Sequence, residues 1–162
     1  MSALASTDAG PRALGAGDLE RVIEIDRSPA GRTRRRFFEK RFAAAAAHPE
    51  EFVHIGVMRG GALRGFASAR VLRGEFGREQ VSAVLDAVGV EPQSRGTGVG
   101  RTLLQELAAR LRAIGARTLH SQAEWSDPEL THFFAATGFK LAPRVALERS
   151  LATPLVEQVE ED

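Results

Sequence analysis

The sequence predicts an α/β chain organised around one mixed β-sheet, and three observations carry that prediction. Hydrophobic periodicity switches from helical to extended at Glu51. Two extended apolar runs then flank Arg59-Gly60-Gly61, a hairpin signal. A glycine-rich segment, 95–100, leads from a third extended run directly into an amphipathic helix. At 162 residues the chain has the length of one domain, enough to bury a core without covalent staples.

Residues 1–11 are small and polar and are expected to be disordered, 12–151 to form the domain, and 152–162 an acidic tail bearing Glu157, Glu160, Glu161 and Asp162. A short strand is expected at 12–14. Asp18 suits an N-cap, followed by the apolar stripe Leu19, Val22 and Ile23. A second helix is expected over about 31–47, with Phe38, Phe42 and Ala45 inward. Arg32, Arg34, Arg35 and Arg36 crowd its start, where positive charge opposes the helix dipole; an anionic ligand or Glu39 is expected to compensate. Strands follow at 52–58, 62–72 and 81–90, the last with Val84, Asp86, Val88 and Val90 on one face. The next helix carries Leu103, Leu104, Leu107, Ala108, Leu111 and Ile114 at helical spacing and closes at Gly115. A strand at 118–123 precedes a helix capped by Asp127 with Pro128 first, burying Leu130, Phe133 and Phe134 and ending at Gly138. Strands at 139–141 and 145–151 complete the order.

Composition narrows the function classes. There is no cysteine, which excludes disulfides, thiolate metal sites and thiol nucleophiles. The four histidines have no metal-ligand spacing, so no metal is expected. Lys and Arg number 22 against 21 Asp and Glu, a balance that implies no bulk nucleic-acid partner. No apolar run is long enough for a bilayer and no leader pattern opens the chain, so no membrane partner and a cytoplasmic location are expected.

The chemistry concentrates in Arg95-Gly96-Thr97-Gly98-Val99-Gly100-Arg101. A helix start leaves backbone N–H groups unpaired, and their partial positive charge favours an anion. Glycines 96, 98 and 100 let the backbone approach a phosphate, and Thr97 and Arg101 add a hydroxyl and a cation. The spacing is neither the Gly-x-Gly-x-x-Gly of a Rossmann loop nor a Walker pattern, which needs a lysine. A ligand-free glycine turn is the alternative.

The 95–100 segment resembles the Gln/Arg-x-x-Gly-x-Gly/Ala signature of the GNAT (Gcn5-related N-acetyltransferase) superfamily. Val88-Gly89-Val90-Glu91-Pro92 is similar to that family's fourth strand and following turn, and Asp127 to Phe139 to its second conserved region. The likeness covers about 12–151 and is strongest from Leu85 to Phe139. It implies a GNAT-like acyl-CoA N-acyltransferase fold with splayed central strands, and acetyl-coenzyme A as co-substrate. On this resemblance the pantetheine arm pairs with Val88, Gly89 and Val90. The pyrophosphate lies on the amides of Gly96 to Gly100 and Arg101, and an N–H near Val88 polarises the thioester carbonyl. Two positions depart from the family: Asp127 stands where it often has asparagine, and Phe134 where it often has the tyrosine that protonates the leaving thiolate. The chain has no tyrosine. A thiol with a pKa near 8.5 is a tolerable leaving group, and water, Ser121 and His132 are the remaining proton donors.

An attacking amine must first lose a proton. Asp86 is the candidate base: it shares the expected strand face with Val88, and burying an unpaired carboxylate is costly. A structural ion pair with an arginine is its alternative reading; Glu75 and Glu79 are weaker candidates. Arg32 to Arg36 lie where the family often builds its acceptor site and would hold an acidic group of the substrate, or else form a solvated helix face. Trp125 lines the pocket or merely packs. The resulting expectation is an N-acetyltransferase acting on a primary amine, small-molecule or peptide, by direct attack in a ternary complex. A non-catalytic acyl-CoA-binding or sensor module is the second reading, and a nucleic-acid-binding α/β domain using the arginine cluster the third. The family resemblance also implies a homodimer.

Overall fold

The computed structural model describes residues 10–27 and 31–152. The expected disordered segment up to residue 9, and all but residue 152 of the acidic tail, lie outside the described residues. Among the described residues four α-helices and five strands follow in the order β1 (Gly10–Ala13), α1 (Leu19–Asp26), α2 (Arg35–Ala47), β2 (Phe52–Arg59), β3 (Ala62–Arg73), β4 (Val81–Val90), α3 (Val99–Ile114), β5 (Thr118–His120) and α4 (Pro128–Ala136). The sheet order is β1-β2-β3-β4-β5. The first four strands are antiparallel neighbours, and β5 runs parallel to β4. The expected mixed sheet and α/β class are what the chain forms.

Each sheet face buries its own apolar layer. Leu103, Leu104, Leu107 and Leu111 of α3 and Phe134 of α4 pack on Val53, Ile55, Ala67, Ala69 and Leu85. On the opposite face Val22, Ile23 and Ile25 of α1 and Phe38 of α2 pack on Leu63, Phe66 and Ala87. The helical spacing seen in the sequence is therefore the stripe that seats each helix. Among the described residues no helix is long and apolar enough to cross a membrane.

Several expectations need correction. Gly10 and Pro11 are not disordered; they pair with Met58 and Val57 at the sheet edge. Strand β5 stops at His120 instead of 123. Neither 139–141 nor 145–151 forms a strand, and Leu141, Val145, Leu147 and Leu151 are exposed. Alternating apolar residues make a strand only beside an edge that offers backbone partners, and β5 supplies three residues. At the head of α2, Arg34 donates to Asp26 (Nε to Oδ2, 2.9 Å) and Arg35 to both oxygens of Glu20 (2.7 and 2.8 Å), so acids of α1 neutralise these two arginines more closely than Glu39, which lies 3.7 Å from Arg35.

The largest correction concerns β4. Ser68 pairs with Ala87 but the next residue, Ala69, pairs with Leu85, so Asp86 is the extra residue of a β-bulge. A bulge adds one residue to one strand and resets which face its side chains take. Val88 and Val90 lie against the α3 layer, whereas Asp86 turns to α2. The four residues expected on one face are thus divided between two.

Candidate active site

The β4–β5 ladder ends where Val84 pairs with His120, while β4 continues to Val90. Beyond that point Ser121 Oγ donates to the Leu85 carbonyl (3.1 Å) and the chain leaves the sheet. On its β5 side, β4 from Asp86 to Val90 therefore has no strand beside it among the described residues.

The head of α3 follows that stretch of β4 through the turn formed by residues 91–98. Gly98 is its N-cap with φ +87°, a left-handed conformation that glycine adopts without strain. The first bond of the helix runs from Thr102 N–H to the Gly98 carbonyl (3.0 Å), so the N–H groups of Val99, Gly100 and Arg101 precede every intrahelical acceptor. No acid occupies the first turn to neutralise them. Arg101 is exposed beside them. The preceding turn is braced from below: Arg59 donates to the Thr97 carbonyl (3.0 Å) and hydroxyl (3.1 Å), the Thr97 hydroxyl donates to the Ser94 carbonyl, and Arg95 Nε donates to the Val90 carbonyl (3.4 Å). Thr97 is thus engaged in shaping the loop. Gly100 has a separate reason to be glycine: a Cβ there would lie 2.7 Å from Cε2 of Phe133, so α4 closes directly on the first turn of α3. These donors, a first turn without an acid and the backbone room at Gly96 and Gly98 fit an extended diphosphate ligand.

On α4, Asp127 caps the helix by accepting from Leu130 N–H (3.0 Å). Phe134 is buried, its ring 4.7 Å from that of Phe139. A phenyl ring there supplies shape and no proton. Of the other donors, Ser121 is engaged with Leu85 and His132 is exposed. Trp125 is fully exposed.

Asp86 is held by two cations. Arg70 Nε donates to Oδ2 (3.0 Å), and Arg41 from α2 reaches the same oxygen at 3.0 Å; the Asp86 side chain is only 11% exposed. The ion-pair alternative is realised twice over. Around this group lie three buried polar atoms without a hydrogen-bond partner: Arg41 Nε, His54 Nε2 and Ser68 Oγ. Burial and the Arg41 cation push His54 down to about 4, against a smaller upward pull from Asp86. The sequence offered no metal spacing for His54 and hence no reason to single it out. The signal available was the period-2 alternation that puts Phe66, Ser68 and Arg70 on one face.

His54 makes stability depend on pH. Its folded value lies below the ordinary 6.5, so between the two the unfolded chain binds more protons. The stabilisation of the neutral, buried ring is complete above about pH 6.5 and is lost as pH falls toward 4, a span on the order of 3 kcal/mol. His54→Gln is expected to flatten this limb. Denaturant midpoints of both proteins at pH 4.5, 5.5 and 7 check it, and parallel curves would contradict it.

Glu91 was not singled out from the sequence except within the turn after β4, yet it ties the site together. Its carboxylate, 8% exposed, accepts from Arg21 of α1, from Arg64 of β3 (2.9 Å) and from Ser94 Oγ (2.7 Å). Burial raises this carboxyl, but Ser94, Arg64 and Arg21 together outweigh it and hold it below the usual range. Arg64 is itself the extra residue of a bulge, since Val57 pairs with Gly65 and Met58 with Leu63. Among the described residues the grouping with metal-ligand proximity is His48, Glu50 and Glu51, all exposed and on the segment that joins α2 to β2.

Comparison with known proteins is consistent with this geometry. The family model described as the acetyltransferase (GNAT) family matches residues 19–139. An aminoglycoside N(6')-acetyltransferase type 1 from Stenotrophomonas maltophilia is 32% identical over 110 residues, 67% of this chain and 72% of that protein. Among solved structures, a transcriptional regulator from Bacillus halodurans C-125 superposes with TM-score 0.73 at 17% identity, covering 88% of this chain and 99% of that one. The aminoglycoside N-acetyltransferase AAC(6')-Iy in complex with CoA gives TM-score 0.67 at 20% identity over 86% and 98% of the two chains. At these identities the structural likeness carries the fold alone.

Proposed function

The chain belongs to the acetyltransferase (GNAT) family, and from that premise we propose that it transfers the acetyl group of acetyl-coenzyme A to the primary amine of a small molecule by direct attack in a ternary complex. One observation carries the reading: the stretch of β4 left unpaired where the β4–β5 ladder ends at Val84 and His120 leads to a helix head with three unpaired N–H groups. The co-substrate of the family, acetyl-coenzyme A, supplies a thioester. The amides of Val99, Gly100 and Arg101 take diphosphate oxygens, with the backbone of Gly96 and Gly98 giving them room. The unpaired β4 edge at Val88, Gly89 and Val90 offers main-chain groups to the pantetheine amides, and an N–H near Val88 polarises the thioester carbonyl. Asp127 and Phe134 shape the α4 side of the site. Phe134 cannot donate a proton, so thiolate departure relies on the low basicity of the thiol and on solvent. That the 32%-identical relative is an aminoglycoside N(6')-acetyltransferase supports a small-molecule amine.

For the amine's proton, Asp86 is the residue proposed, in one of two roles. Its carboxylate accepts from Arg41 and Arg70, which favours anchoring those cations over abstracting the proton directly. Thiol release from acetyl-coenzyme A across an amine panel, with Asp86→Asn beside the parent, tests both the activity and the role. An anchoring role predicts an acceptor KM raised roughly tenfold with kcat within about threefold. A fall in kcat of about a hundredfold with a displaced pH profile would make Asp86 the base. Phe134 in place of a proton donor also keeps a second reading in view, coenzyme A binding without turnover; binding by calorimetry with no thiol release for any amine would establish that one instead.

A further inference from the structure

Resting on that acetyltransferase reading, we propose that Arg41 and Arg70 form an anion subsite beside the end of the β4–β5 ladder, so that the acceptor is an amine that also carries a carboxylate or phosphate, and not a polycation. The register fixes the place. Arg70 pairs with Val84, and Val84 pairs with His120 at the last rung of the β4–β5 ladder. Ser68, Asp86 and the neighbouring His54 follow on the same face, toward the part of β4 beyond the ladder.

The charge there is uneven. Two guanidiniums meet one carboxylate, leaving one positive charge in excess, and His54 is held in its neutral form at physiological pH. Arg41 is fixed for recognition: its guanidinium stacks over the rings of Phe37 (5.2 Å) and Phe52 (5.7 Å), yet its Nε has no acceptor. Arg70 uses Nε well but reaches Oδ1 of Asp86 only at 3.5 Å, and its side chain is 38% exposed. Buried polar atoms are ordinarily satisfied. Here Arg41 Nε, His54 Nε2 and Ser68 Oγ are left over together, and His54 and Ser68 are themselves nine-tenths buried or more. Planar guanidiniums with free N–H groups match carboxylate and phosphate oxygens. Of the acids on the covering helices, Asp26 pairs with Arg34 and Glu20 with Arg35, while Glu24 shares Arg21 with Glu91 and Glu39 shares Arg35 with Glu20.

The test pairs amines that differ only in the anion: an α-amino acid against its amide, and phosphoethanolamine against ethanolamine, with a 6'-amino aminoglycoside as the polycation. Turnover is measured by thiol release. Binding is measured by calorimetry on enzyme saturated with coenzyme A. The proposal expects the acid-bearing member of at least one pair to be favoured roughly tenfold or more in kcat/KM and in affinity. The pair that responds tells carboxylate from phosphate. Arg70→Gln is expected to remove that preference and Arg70→Lys to restore part of it, while coenzyme A affinity stays within about threefold of the parent. The proposal is overturned if the aminoglycoside is the better substrate, if neither acid-bearing amine binds, or if Arg70→Gln weakens both members of a pair alike. Absence of coenzyme A binding by the parent would instead overturn the acetyltransferase reading itself.

Discussion

Gly98→Val is expected to weaken coenzyme A binding by about a hundredfold or more, equivalent to losing two charge-assisted hydrogen bonds. Gly98 sits at φ +87° as the N-cap of α3, where a β-branched residue is strained by about 1–2 kcal/mol. Its Cβ would meet nothing in the fold within 4 Å. The Cβ itself therefore meets no obstacle, and the cost lies in the backbone conformation. The relief open to the chain is to leave the left-handed region, which unwinds the first turn and scatters the amides of Val99, Gly100 and Arg101. Calorimetry with coenzyme A, together with thermal melts, separates the two effects: affinity collapses while stability changes by no more than the strain. Gly98→Asn, which tolerates the same φ, is expected to retain most of the affinity. Parent-like affinity in the valine variant would mean that these amides do not hold the ligand.

Glu91→Ala is expected to be the most destabilising single change in the site, by about 2–3 kcal/mol. Breaking a fully buried ion pair costs about 3–5 kcal/mol, and the discount reflects Arg21 and Arg64, which are 36% and 31% exposed and can regain water. The carboxylate joins α1, β3 and the turn that carries Ser94, and the Glu91 N–H also donates to the Arg64 carbonyl (2.9 Å). Without it, the turn leading into the glycine loop loses its tether to both cationic partners. A fall in Tm of roughly 5–10 °C at pH 7 is predicted for a chain of this size, with a raised KM for acetyl-coenzyme A. Glu91→Gln should fall between the two, since it keeps an acceptor and loses the charge. A melt within a degree of the parent would refute this role.

Much of the frame was legible in the residues themselves. Extended apolar runs on either side of Arg59-Gly60-Gly61 identify the β2–β3 hairpin because a tight turn is a local property. The leucines from 103 to 111 identify α3 for the same reason, and Asp127-Pro128 marks the start of α4 through a cap that the structure shows accepting from Leu130. The bulge at Asp86 was not legible. It exists only in the pairing of β4 with β3, and strand 81–90 read alone gives an uninterrupted alternation that puts Asp86 with Val88. The partners of Arg34, Arg35 and Asp86 were hidden likewise, since each comes from another element. The segment 139–151 misled in the opposite direction: its alternation of Leu141, Val145, Leu147 and Leu151 is strand-like, but pairing depends on an edge elsewhere in the chain. Within the site, the glycine loop was legible because its chemistry is carried by backbone and spacing. The cluster of Arg41, His54, Ser68 and Arg70 was not, because three separate elements bring it together.

The most direct measurement is calorimetric titration of the full chain with coenzyme A and, in parallel, with pantetheine, which lacks the diphosphate. If the head of α3 grips the diphosphate, coenzyme A binds and pantetheine binds at least about a hundredfold more weakly. Equal affinity for the two, or no heat with any coenzyme A species, would contradict the account.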